Sequence, residues 1–143
     1  MDRKQSLTNL IEQFSQKLDA MEAHATQTGV LKEMTMRQLY YLDVIAVMDQ
    51  PTVSKIAHTM HLTKPTVTAA LKQLEDKQYI QKQRSDANKR CAPIQLTKKG
   101  QRALKAHKTI HAKMAQNITD VLNADELEQL ITIFTKLLEP GMT

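Results

Sequence analysis

The sequence predicts a mainly α-helical protein with one small β-hairpin, an α+β chain folded as a single domain. Three observations lead there. Apolar residues recur at three- and four-residue steps through most of the 143 positions. Glycines number three and prolines four, too few for a sheet-rich chain with many tight turns. Strand-like alternation is confined to the stretch just beyond Tyr79. With aromatics at 3% and no Trp, an aliphatic core of Leu, Ile, Val, Met and Ala is expected.

Leu7, Leu10, Ile11, Phe14, Leu18, Met21 and Ala25 form one apolar stripe, which predicts a first helix stopping near Gly29. Thr35 with Gln38 is a capping-box pair opening a second helix through about Met48. Its apolar residues Met36, Leu39, Tyr40, Val44, Ile45, Val47 and Met48 cover more than one face, so it should be central. Gln50-Pro51 interrupts the chain, and Thr52 caps a short helix with Val53, Ile56, Ala57 and Met60 inward. His61-Leu62 makes a turn. Thr63 caps the next helix, with Pro65 in the first turn where a missing N–H costs nothing. Val67, Ala70, Leu71 and Leu74 are that helix's buried stripe.

Strand character follows from Ile80 to Arg84 and from Cys91 to Leu96, with Ser85 to Arg90 as the hairpin tip. Thr97 caps a long helix through about Leu122. Asn123 with Glu126 opens a last helix carrying Leu127, Leu130, Ile131, Phe134, Leu137 and Leu138, which Pro140-Gly141 ends. Helix, turn, helix and hairpin in that order make a winged helix-turn-helix, flanked by terminal helices.

Net charge is +5, and its distribution is uneven. Between Thr63 and Lys105 eleven Lys or Arg face three acids, whereas the remainder holds nine cations and twelve acids. A basic centre between faintly acidic ends is the electrostatic footprint of a nucleic-acid binder. The major groove admits one α-helix whose exposed side chains are short enough for close approach. Lys64, Thr66, Thr68, Ala69, Lys72 and Gln73 lie opposite the buried stripe of the fourth helix and suit that position. Thr and Ala methyls meet thymine methyls, Gln pairs with adenine, and Lys reaches phosphate or guanine. On a purely structural reading they are the solvent face of a surface helix. The one-signed cluster Lys82, Arg84, Lys89 and Arg90 on the hairpin favours DNA, because a basic wing follows phosphates or a narrow minor groove. Thr52, Ser54 and Lys55, at the start of the third helix, are placed to hold a phosphate. One such module covers few bases, and the terminal stripes have no evident partner, so a twofold dimer on a palindromic duplex is expected.

Other classes lack support. There is no Ser/His/Asp order, phosphate loop or carboxylate pair near a histidine, and Asp125 and Glu126 are better read as a helix start, so no enzyme and no cofactor is expected. No apolar run reaches signal or membrane-spanning length, so a cytoplasmic chain without membrane contact is expected. The single cysteine, Cys91, excludes an internal disulfide and should pack in its strand.

The segments LTKPTVTAALKQLEDKQYIQKQRS and IQLTKKGQRAL, with the wing through Arg90, resemble the MarR family of winged-helix transcriptional regulators over nearly the whole chain. MTMRQLYYLDVI, YIQKQRS and HKTIHAKM are most similar to its fatty-acid-synthesis repressor branch. The resemblance implies a winged core over 35–102, dimerisation helices over 1–28 and 103–140, a palindromic operator, and an acyl chain on acyl carrier protein as effector. It matches Thr66, Thr68, Ala69 and Lys72 to the recognition helix and Arg90 to the wing arginine. An acyl tail would enter between the second and the long helix, beside Met36, Leu39, Tyr40, His107, His111 and Met114. Two positions depart from the family pattern. Asn88 stands where an Asp usually precedes the wing's basic pair, and Gln78 stands where Gly usually follows the recognition helix. A left-handed Gln78 would cost about 1 kcal/mol relative to Gly.

His107 and His111, four apart on one helix face, have metal-ligand spacing, and zinc sensors of the family use a His pair there. His24, with Glu22, Glu33 and Asp43, would have to complete such a site. The alternative is that both histidines line an interface or pocket. Similarity to the fatty-acid branch favours the second, so no metal is expected.

Overall fold

The computed structural model describes residues 2–26, 29–83 and 92–141. In chain order these form α1 (Arg3–Thr26), a 3-10 turn (Gly29–Leu31), α2 (Met36–Val47), α3 (Val53–Met60), α4 (Lys64–Asp76), β1 (Ile80–Lys82), β2 (Ile94–Leu96), α5 (Lys98–Val121) and α6 (Ala124–Leu137). Two compact units divide the chain, residues 1–108 and 109–143.

Caps fix the helix starts in the first unit. Thr35 accepts from the Gln38 N–H at 3.1 Å and the Gln38 side chain accepts from the Thr35 N–H at 3.0 Å, closing the box expected there. Thr52 and Thr63 cap α3 and α4 through the N–H groups of Lys55 and Thr66. Gly29 is left-handed at φ 68°, three residues beyond the end of α1. The 3-10 turn that follows was not expected, and it carries the buried Leu31.

The hairpin is antiparallel, with Ile80 opposite Leu96, Gln81 opposite Gln95 and Lys82 opposite Ile94. The Gln83 N–H donates to the Pro93 carbonyl at 2.7 Å, continuing the ladder, and the Ile94 N–H donates to Pro51 at 2.8 Å, tying the hairpin to the α2–α3 junction. The described strands are three residues each, against the expected 80–84 and 91–96, whose inner ends lie outside the described residues.

The core of this unit centres on α2, where Leu39, Tyr41, Leu42, Val44 and Ile45 are all buried. Ile56 of α3 and Val67, Leu71 and Leu74 of α4 pack inside with them. Two expectations need correction. The core is not purely aliphatic, since Tyr41 and Tyr79 are among its largest enclosed side chains. On α2, Tyr40 is 52% exposed and Val47 77% exposed, while the adjacent Tyr41 and Leu42 point inward. On α1, Leu7, Leu10, Ile11 and Phe14 are exposed.

In the second unit, Asn123 and Glu126 close the other expected capping box at 3.0 and 2.9 Å. Ile131, Ile133, Phe134, Leu137 and Leu138 of α6 are exposed, and none of its residues is buried. Among the described residues no helix is long and apolar enough to cross a membrane.

Candidate nucleic-acid interface

The α3–turn–α4 geometry comes from one left-handed residue. His61 takes φ 54°, ψ 41°, so its N–H reaches the His58 carbonyl and the Leu62 N–H reaches that of Ala57 at 3.0 Å. This pattern satisfies the last α3 carbonyls and reverses the chain at once. Thr63 then caps α4, its hydroxyl 2.7 Å from that of Thr66, with Pro65 in the first turn.

Val67, Leu71 and Leu74 lock α4 onto the core, which leaves Lys64, Thr66, Thr68, Ala69, Lys72 and Gln73 exposed together. Lys64, Thr68 and Lys72 stand one turn apart along that face. The exposed helix therefore presents short or flexible polar groups and two cations, the surface a groove can accept.

The cations divide by what they do. Lys55 donates to the carbonyls of Asp49 at 3.1 Å and Gln50 at 3.2 Å. It thus clamps the α2–α3 junction, where Gln50 is left-handed at φ 44°. Ser54 is exposed beside it, and Thr52 is half-buried with its hydroxyl accepting the Lys55 N–H at 3.3 Å. On the hairpin Lys82 is exposed. The expected wing residues Arg84, Lys89 and Arg90, together with Asn88 and Cys91, lie outside the described residues.

The far end of α4 is anchored by Gln78 together with Thr97, Lys99 and Tyr79, whose parts in it the sequence alone did not single out. Gln78, where the family pattern has Gly, is left-handed at φ 64°. Its N–H donates to Glu75 at 2.8 Å and the Tyr79 N–H donates to Leu74 at 2.9 Å. Three consecutive carbonyls then face α5. Lys77 O accepts from Lys99 Nζ at 2.9 Å, Gln78 O from the Thr97 hydroxyl, and Tyr79 O from the Thr97 N–H at 3.1 Å. Lys99 also lies over the Tyr79 ring, 4.5 Å from its centre. Burial raises the pKa of the Tyr79 phenol above its ordinary value, with the Glu33 carboxylate adding to the shift. The glycine in LTKKG, one turn into a helix, was the available signal, because a glycine there marks a close backbone approach.

The expected effector residues fall in both units. In the first unit Leu39 is fully buried, Met36 half-buried, Tyr40 exposed and His107 buried; in the second His111 is exposed and Met114 half-buried. Among the described residues no group of three His, Cys, Asp or Glu is placed to hold a metal ion, and this includes the surroundings of His24, His107 and His111.

Residues 34–92 match the MarR family. Streptococcus pneumoniae FabT in complex with DNA is 28% identical, with 95% of this chain and 94% of that one covered at a TM-score of 0.81. S. aureus MepR bound to ethidium bromide is 26% identical, with 92% and 93% covered at 0.72. RV1404 from Mycobacterium tuberculosis, 17% identical over 100% and 97%, shares the fold at 0.82.

Proposed function

We propose that this MarR-family DNA-binding transcriptional regulator, which is not an enzyme, acts as a homodimeric repressor of fatty-acid synthesis genes. The observation that carries the reading is the exposed face of α4, with Lys64, Thr66, Thr68, Ala69, Lys72 and Gln73 together on a helix held rigidly from behind. That face enters the major groove. Arg84, Lys89 and Arg90 of the wing follow the backbone, and Ser54 and the α3 N-terminus hold a phosphate. The exposed apolar faces of α1 and α6 support pairing with a second copy, which sets two reading helices on the half-sites of a palindrome.

The fatty-acid assignment rests on the motif resemblance and on the likeness to FabT. An acyl chain on acyl carrier protein is the effector in this reading, entering beside Met36, Leu39, Tyr40 and Met114, with the regulator working in the cytoplasm. The zinc alternative lacks a supporting ligand cluster among the described residues.

Footprinting on the promoter of the chain's own gene, with and without acyl-loaded carrier protein, tests both levels. A symmetric footprint establishes operator binding, and a change with the acylated but not the free carrier establishes the effector. A chain that shifts no promoter fragment in dilute salt overturns the DNA reading. An operator complex indifferent to acylated carrier overturns the fatty-acid assignment alone.

A further inference from the structure

A cavity of about 280 Å³ lies between the 3-10 turn, Tyr79 and the first turns of α5. Left-handed Gly29 starts the turn, and the Lys32 N–H closes it on the Gly29 carbonyl at 3.3 Å. The Lys77 ammonium, at the end of α4, donates to the Glu33 carbonyl at 3.2 Å and so ties the turn to that helix. Lys32 and Glu33 of the turn share the lining with Tyr79, Lys99 and Arg102. That makes three cations against one carboxylate, an excess of two positive charges around one recess. Among the described residues Glu33 forms no ion pair with any of the three. Lys99 is half-buried and already fixed, by the Lys77 carbonyl at 2.9 Å and the Tyr79 ring at 4.5 Å, and its ammonium has two further N–H donors. Arg102 stands one turn further along α5. Like charges held together repel, and a bound anion removes that cost.

Charge and donor number select the anion. A carboxylate offers two oxygens and one charge, whereas a phosphate monoester carries about −1.5 to −2 at neutral pH and three acceptor oxygens, one for each cation. The volume lies below the range of drug-sized ligand sites, which leaves room for a phosphoryl group and a few atoms beyond it. We propose that this cavity binds a small phosphate monoester, its phosphoryl oxygens on Lys32, Lys99 and Arg102, with the Glu33 carboxylate holding the affinity down. None of the residues assigned above to DNA or to the acyl effector lines it. An occupant would bridge the turn and α5, the two elements that Lys77 engages at the end of α4, and would tighten the seat of that helix.

Glycerol phosphate, inorganic phosphate and acetate are the probes, titrated at neutral pH and constant ionic strength into the full chain with labelled backbone amides. The expected result is saturable binding of both phosphates that moves the resonances of Gly29, Lys32 and Arg102, with no saturable response to acetate. The double variant Lys32→Gln/Arg102→Gln should bind glycerol phosphate about tenfold more weakly. Both positions are exposed, so its melting temperature should stay near that of the parent. Glu33→Gln, which removes the opposing charge, should bind about threefold more tightly. Absence of saturable binding, acetate equal to phosphate, loss of binding when the phosphate is esterified, or either variant binding as the parent does overturns the proposal. So does a smaller salt slope for duplex binding in the double variant, which would give these cations to the DNA backbone. The titrations contain no DNA, so their failure is distinct from failure of the operator reading.

Discussion

A side chain added at Gly100 would begin inside the carbonyl oxygen of Tyr79, with the carbonyl carbon 3.1 Å away and Leu96 Cβ at 3.5 Å. The obstacle is backbone, so it cannot rotate aside. Gly100→Ala should therefore destabilise the fold by about 2 kcal/mol despite alanine's better helix propensity. Denaturant unfolding checks the stability. Operator affinity should fall as well, because the Tyr79 carbonyl also receives the Thr97 N–H that holds the end of α4. An unchanged midpoint would show that the first turn of α5 is not held against this strand.

Gln78 supplies the opposite case. It is exposed and left-handed, so a Cβ there is a local cost with no contact to compensate it. Gln78→Gly should stabilise by up to about 1 kcal/mol, or roughly 3 °C in melting temperature, part of the gain being offset by a freer unfolded chain. DNA affinity should stay the same, since the residue lies beyond the face proposed to enter the groove.

Cations with different roles should separate in a salt titration. Lys72→Ala on the proposed reading face is expected to lower the slope of log affinity against log salt by about 1. Lys55→Met removes two hydrogen bonds to the Asp49 and Gln50 carbonyls, so it should cost about 1 kcal/mol of stability while leaving that slope nearly intact. A slope change equal to that of Lys72→Ala would instead make Lys55 a phosphate contact.

Base reading and backbone holding divide in a similar way. Thr68→Ala should alter preference at one base pair by roughly three- to tenfold, and Arg90→Ala should weaken all duplexes alike. Competition binding against a single-substitution operator panel measures both. Identical profiles for the two variants would contradict the assignment of α4 to the bases and the wing to the backbone.

Phe134 is 44% exposed on α6, and a charge there should break a self-association built on that face. Phe134→Glu is expected to sediment at the 16.3 kDa of one chain and to lose about a hundredfold or more in operator affinity as two linked half-sites become one. A variant that still sediments at twice that mass would remove α6 from the interface.

Helix starts were legible because short side chains announce them: Thr35, Thr52, Thr63 and Asn123 each cap the helix that the sequence assigned to them. The exposed face of α4 was legible too, since its buried stripe has clean helical spacing. The orientation of α2 was less so. Two adjacent tyrosines offer the same hydropathy, and only tertiary packing decided that Tyr41 goes in and Tyr40 out. The role of Lys55 was hidden for another reason. A lysine at a helix start serves a phosphate or a carbonyl equally well, and although Gln50-Pro51 marks a break, the left-handed conformation of Gln50 that presents the carbonyls is not written in the sequence. The three-residue 3-10 turn was too short to produce a period.

The seat of α4 has one more implication. The hydrogen bonds that Thr97 and Lys99 make to the stretch 77–79 all end on main-chain oxygens, so they are indifferent to which amino acids occupy the outward face of α4. Operator preference can drift, or be re-engineered, one outward side chain at a time without disturbing the mount beneath it.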